Sequence, residues 1–380
     1  MKYLKYTDKV LLIISILLFS IGLVMIFSSS NIAAFMRYNK SPYNFLIKQG
    51  GSLFVGAIIF LIVICFNTKT YSALSWFALL GSFGLLLFVF LFGPMINEAR
   101  SWIKIGPLTF QPSEFVKVII IIWYAAFFEL NRSKLNRLFT NFFPLIISAL
   151  ISALIILQPD FGTAGIMLIL SFMMYLLVPA KRIVKFKVVA ISLTAMSVVL
   201  MGYYIFNTSS FQRQIERFDF QNPCSEEKFY TTGNQVCNSY IAFNNGNMWG
   251  KGLGNSTQKY LYLPESHTDF IFAIVVEELG FVISAIIILF FMILLWRIIY
   301  IGKNSTSSRG SVICYGVAIY IFLHMTINLA GIMGLLPLTG VPLPFLSYGG
   351  SFTLSLIFAL SIVQRVAIET RMKKLEISKQ

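Results

Sequence analysis

The chain has 380 residues, of which 57% are hydrophobic, 16% aromatic and only 12% Asp, Glu, Lys or Arg. Soluble domains carry nearer 25% charge. A cytosolic enzyme, a disordered chain and a secreted disulfide scaffold are therefore excluded, leaving an all-α polytopic integral membrane protein. The net charge of +15 is read as membrane anchoring rather than nucleic-acid binding. Four Cys and two His leave little room for a disulfide framework or zinc chemistry.

Ten apolar segments follow one another, at about 10–28, 50–66, 72–93, 114–130, 142–158, 162–179, 188–206, 270–298, 311–333 and 351–368. Each is long enough to cross a bilayer with some tilt, as a helix that satisfies its own backbone. The first, preceded by Lys2, Lys5 and Lys9, imitates a secretory signal, with Ser28-Ser29-Ser30 as a cleavage site. Its length favours an uncleaved spanning helix. Ten crossings place both termini on one side. With the termini cytoplasmic, 19 of the 30 Lys and Arg fall on the inner side and 11 of the 15 acids on the outer, as the positive-inside rule requires. The expected organisation is a single transmembrane domain with a long extracytoplasmic loop, 207–269, between the seventh and eighth helices, and a cytoplasmic tail, 370–380.

The connection 94–113 carries the first cluster of chemistry, from Asn97 through Arg100, Trp102 and Lys104 to Gln111-Pro112-Ser113-Glu114 and Lys117. Pro112 followed by Ser-Glu reads as a first helical turn. Glu114 and Lys117 are either an i,i+3 ion pair or, with Lys117 one turn below the surface, part of an anion site. Arg100 and Lys104 then face that anion from the water side. Trp102 is either an interfacial anchor or a stacking platform for a sugar ring. In Gln158-Pro159-Asp160-Phe161-Gly162-Thr163, Asp160 stands at the outer rim and is equally readable as an N-cap.

In the long loop, Arg213 and Arg217 are four residues apart and form one cationic face, solvated or ligand-directed. Cys224 and Cys237 lie on the oxidising side, where a disulfide is plausible. Gly250-Lys251-Gly252-Leu253-Gly254 follows no strand and is rejected as a dinucleotide motif. The loop closes on Leu263-Pro264-Glu265-Ser266-His267-Thr268-Asp269-Phe270. Asp269 is readable as a helix cap, but Glu265, His267 and Asp269 crowd five residues, and Glu277-Glu278 follow in apolar sequence, where acids mark function. Like charge and partial burial raise a carboxyl toward the range of a general base. The Gly- and Pro-interrupted run 331–350 implies an unwound connection lining a cavity. There Ser347 and Tyr348 offer hydroxyls, unless the segment is a mere tight turn.

These residues imply an extracytoplasmic cavity that gathers cations, carboxylates and aromatics, suited to a lipid-linked, phosphorylated sugar. Residue types alone do not choose between processing that substrate and moving it.

The blocks NEARSWIKIGPLTFQPSEFVK, LQPDFGTA, KYLYLPESHTDFIFAIVVEELG and GLLPLTGVPLPFLSYGG resemble the SEDS family (shape, elongation, division and sporulation), in matched order over roughly 10–368. The first outer loop, RYNKSPYNFLIKQ, is similar to that of the division branch. The stretch 222–238 and Asn244-Asn245-Gly246 depart from the family pattern. The resemblance implies a peptidoglycan glycosyltransferase that polymerises lipid II at the outer membrane face, beside a class B penicillin-binding protein and other division proteins. The family's essential acid falls on Asp269 and its important Trp on Trp102. The remaining substrate-binding candidates are Arg100, Glu114, Lys117, Asp160, Arg213, Arg217, Glu265, His267, Ser347 and Tyr348. No protein-held metal is expected; whether a divalent cation takes part stays open. A lipid II flippase and a division scaffold are the competing readings.

Overall fold

The computed structural model describes residues 3–95, 99–106, 108–206, 223–229 and 233–378. Among these, a helix stands at each of the ten expected segments. In chain order they are α1 (Lys9–Met36), α2 (Asn44–Val63), α3 (Thr68–Phe92), α4 (Pro112–Leu130), α5 (Leu138–Leu157), α6 (Phe161–Leu176) and α7 (Arg182–Phe206). After the long loop, which contributes α8 (Asn234–Gly246), come α9 (Ile271–Lys303), α10 (Ser308–Ile332) and α11 (Gly350–Ile377). Seven of them, α1, α2, α3, α5, α9, α10 and α11, are long and apolar enough to cross a membrane. The chain is a mostly helical, multi-pass membrane protein.

The distribution of side chains is that of a body solvated by lipid. Large apolar residues such as Phe54, Phe77 and Phe92 face outward, while Ser351, Thr353, Ser355, Ser361 and Gln364 of α11 are buried. Helices α4 and α11 form the centre: α4 packs against α3, α10, α6 and α11, and α11 also against α2. The fold is not purely helical. Ile103–Ile105 (β1) and Leu108–Phe110 (β2) form an antiparallel hairpin, with Ile103 opposite Phe110 and Lys104 opposite Thr109. It turns at Gly106, whose φ of +60° suits a residue without Cβ.

Two close backbone approaches set the cavity end of the bundle. A Cβ on Gly22 of α1 would lie 2.1 Å from the Phe345 carbonyl oxygen, so α1 meets the 333–349 segment as bare backbone. Gly22→Ala is expected to cost about 1–3 kcal/mol by overpacking, read as a lowered melting temperature in detergent. An unchanged melting point would refute this contact.

The second approach lies at Gly280, which breaks α9 with φ 81°. The α9 carbonyls of Glu277 and Glu278 accept from the amides of Lys251 and Gly252, both at 2.9 Å. Reciprocally, the Phe281 and Val282 amides donate to the carbonyls of Asn247 and Met248. The glycine-rich 250–254 run is thus a splice into a broken helix, with Gly250 and Gly280 too close for side chains. Glu277 and Glu278 serve the same splice. Glu277 accepts from Thr257 Oγ1 at 2.7 Å, Asn245 Nδ2 at 2.9 Å and the Ser256 hydroxyl, and Lys251 Nζ stands 3.3 Å away. Glu278 accepts from Ser28 Oγ at 2.6 Å and Lys259 Nζ at 3.0 Å. The acid pair that apolar sequence marks for function is held by hydrogen bonds and ion pairs, and neither carboxylate lines the cavity described below.

At the opposite end, Asp8 caps α1 through the Leu11 amide and takes two hydrogen bonds from Arg297 of α9 and one from Arg371 of α11. These guanidinium groups outweigh burial and hold its carboxyl below the usual range.

Candidate active site

A cavity of about 620 Å³ lies where the N-terminal ends of α4, α6 and α11 meet the β-hairpin, the 333–349 segment and the end of the long loop. Trp102, Glu114, Asp160, Glu265, Asp269 and Tyr348, six of the residues singled out from sequence, line it.

Asp269 is not a helix cap. Helix α9 begins after Phe270 with no side-chain cap, and among the described residues no hydrogen bond or ion pair engages the Asp269 carboxylate. Burial, and secondarily the charge of Glu265, push this carboxyl up to about 7. The backbone beneath it is clamped at three successive carbonyls. That of His267 accepts from the Tyr348 amide at 2.9 Å. That of Thr268 accepts from Ser347 Oγ at 2.6 Å, and that of Asp269 from Asn328 Nδ2 at 2.8 Å. Asn328 also donates to the Val341 carbonyl at 2.8 Å, tying the acid to the opposite wall. Glu265 adopts φ 55°, a strained choice for a residue with a side chain, and its Oε1 lies 3.6 Å from Arg37 Nη1.

Several candidates sit elsewhere. Lys117 is fully buried and does not line the cavity: its ammonium donates to Glu114 Oε1 at 2.9 Å and contacts His324 Nε2 at 3.0 Å. The ion-pair reading is the one the geometry realises, because a cation at that depth needs a fixed counter-charge. Glu114 Oε2 is left buried and without a partner among the described residues, at the cavity floor. Asp160 does cap α6, through the Thr163 amide at 3.1 Å, and its other oxygen accepts from Gln111 Nε2 at 3.0 Å.

Ser347 spends its hydroxyl on Thr268 and on the Leu343 amide rather than on the cavity. His267 packs behind the wall against Phe45, ring centroids 4.4 Å apart, and burial lowers its imidazole below the usual value. Arg100 is exposed and does not line the cavity. Arg213 and Arg217 lie outside the described residues. Among the described residues, then, no Lys or Arg side chain lines the cavity, and the expected convergence of cations on the acid is absent there. Sequence reasoning missed His324 and Asn328, single polar residues whose partners lie far away in the chain, and named Gln111 without its partner Asp160.

An acid-lined cavity at one end of a lipid-solvated helical bundle defines a multi-pass membrane protein with a polar site inside it. The chain matches the family described as Cell cycle protein (FtsW, RodA and SpoVE) over residues 8–372, and it belongs to that family. It is 35% identical over 378 residues to the Bacillus subtilis (strain 168) "Probable peptidoglycan glycosyltransferase FtsW", covering 97% of this chain and 92% of the relative. Stage V sporulation protein E of the same organism is 33% identical, covering 96% and 98%. Among solved structures, a chain from a study titled "Structural coordination of polymerization and crosslinking by a peptidoglycan synthase complex" aligns with TM-score 0.76 at 21% identity, over 96% of this chain and 98% of the other. The Thermus thermophilus rod shape determining protein RodA aligns with TM-score 0.66 at 21% identity, over 95% and 96%. Both show the same fold.

Proposed function

We propose that this protein is a peptidoglycan glycosyltransferase of cell division, polymerising lipid II into β-1,4 glycan strands at the outer face of the bacterial cytoplasmic membrane. The observation that carries the reading is the Asp269 carboxylate in the cavity, without a partner among the described residues and held at a basicity useful near neutrality. The family and its named glycosyltransferase relatives support it.

In this mechanism Asp269 takes the proton of the 4-hydroxyl of one lipid II GlcNAc as that oxygen attacks the anomeric carbon of the other chain's MurNAc. The carbon–oxygen bond to the diphosphate breaks in line, so the α-linked donor becomes a β-1,4 link. Trp102 supplies an apolar face for a sugar ring, and Glu114, whose Oε1 accepts from Lys117, offers Oε2 to a substrate hydroxyl or amide. The departing diphosphate draws on the exposed Arg100, on Arg213 and Arg217 of the long loop, or on a divalent cation.

The same reading places ten crossings in one membrane domain, both termini in the cytoplasm and the long loop outside. Helices α4, α6 and α7 supply the three crossings beyond the seven that length and composition mark. A class B penicillin-binding protein and other division proteins are its partners, the former suggested by the synthase complex that shares the fold.

The test is labelled lipid II incubated with the purified protein and its cross-linking partner, resolved for glycan strands. Strands are expected. Translocation of lipid II in liposomes without strands would establish the transporter instead, and neither strands nor translocation would leave only a scaffold.

A further inference from the structure

A covalent link lies beside the cavity rather than within it. Cys224 and Cys237 are bonded, their Cα atoms 5.1 Å apart. Cys237, near the start of α8, is buried, whereas Cys224 is exposed. The first turns of α8 press on the wall of the cavity. A Cβ on Gly334 would come within 2.6 Å of the Tyr240 hydroxyl and 3.1 Å of Val236, and Tyr240 donates to the Met333 carbonyl at 3.0 Å. Gly334, at φ +65°, is where the chain leaves α10 for the segment whose residues 337–342 line the cavity. Further along, a Cβ on Gly340 would lie 3.6 Å from Asp269 Oδ2. The far end of α8 is fixed independently: Gly246 rests on the Val276 carbonyl and Asn245 binds Glu277.

We propose that Cys224 and Cys237 form an oxidative modification site whose closure braces α8 against the 333–342 wall, so that the enzyme matures only after a thiol oxidant outside the cytoplasm has acted on it. The inference rests on the reading that this end of the bundle faces outward, because the cytosol would keep both thiols reduced. In the step, two thiols lose two protons and two electrons as the S–S bond forms. The electrons pass to the oxidant's own disulfide, which leaves as a dithiol. Without the bond, the N-terminal turns of α8 lose the crosslink that fixes them, and the turn at Gly334 loses its backing. Cys224, unlike Cys237, is exposed as a residue, so in this proposal the bond is reached by an external thiolate from the Cys224 side and the brace is also reversible.

The experiment uses the full chain in membranes from cells. Thiols are alkylated with a mass tag before and after reduction, in the wild type and in a Cys65→Ser, Cys314→Ser background that leaves only this pair. Two thiols are expected to become reactive only after reduction. Lipid II polymerisation is then compared among oxidised protein, protein reduced after folding, reoxidised protein and the Cys224→Ser, Cys237→Ser double variant. Reduction is expected to lower strand formation about tenfold through local opening of α8, with recovery on reoxidation and a matching loss in the double variant. Thiols that are free before reduction in the Cys65→Ser, Cys314→Ser background, or equal polymerisation after reduction, would overturn the proposal. The reduced wild type decides the matter even if the double variant does not accumulate. Oxidised protein that makes no strands under any condition would instead refute the polymerase reading on which it rests.

Discussion

Asp269→Asn is expected to lower glycan-strand formation by roughly 10²–10⁴-fold, the range a positioned general base supplies, while the protein stays folded in the membrane. Asn keeps the shape and the backbone clamp but cannot take a proton. Strand formation by the wild type should fall on an acid limb centred near 7, where the carboxyl protonates. Glu265→Gln removes the neighbouring negative charge that contributes to that position, so the limb should move to lower pH with turnover retained above it. Stability should show the reverse face of the same shift. A carboxyl raised from 3.8 to about 7 contributes its stability in full below 3.8 and loses it as the pH rises through 7. Asp269→Asn should therefore melt higher than the wild type at alkaline pH and by a smaller margin in acid. A variant as active as the wild type would remove Asp269 from the mechanism.

Lys259→Met carries the second large expectation, a loss of about 3–5 kcal/mol of stability. Lys259 and Glu278 are both buried, 3.0 Å apart, with Ser28 hydrogen-bonded to the same carboxylate. Removing the ammonium alone leaves an uncompensated charge inside the bundle, which is costlier than never having had the pair. Replacing Glu278 by Gln in the same chain should recover part of the loss, since the amide needs no counter-ion. Thermal unfolding in detergent of both single variants and the double variant measures the coupling. A Lys259→Met protein that melts with the wild type would refute the cage around the broken α9.

The positions of the ten helices were legible because lipid imposes long unbroken apolar runs, and an interruption by charge or glycine stands out against them. Much of the cavity wall was legible for a different reason. Trp102, Glu114, Asp160, Glu265, Asp269 and Tyr348 sit in short polar motifs between apolar segments, where few other roles compete. What sequence could not supply was the pairing of charges. Lys117 meets His324 across 207 positions of chain, and nothing local distinguishes that histidine from any other polar residue in α10. Glu277 and Glu278 misled for the same reason: their partners come from a loop whose path depends on the break at Gly280. The hairpin at 103–110 was hidden by its brevity, three residues to each strand.

The lock around Asp8 has a mechanical consequence. It joins α1, α9 and α11 at the end remote from the cavity, by two arginines on one buried carboxylate and by reciprocal bonds between Gln364 and the Asp8 backbone. The cavity half, in contrast, is walled by irregular backbone at 265–269 and 333–349. The ion-paired end is thus the fixed pivot of the bundle, and local opening belongs to the irregular walls at the other end.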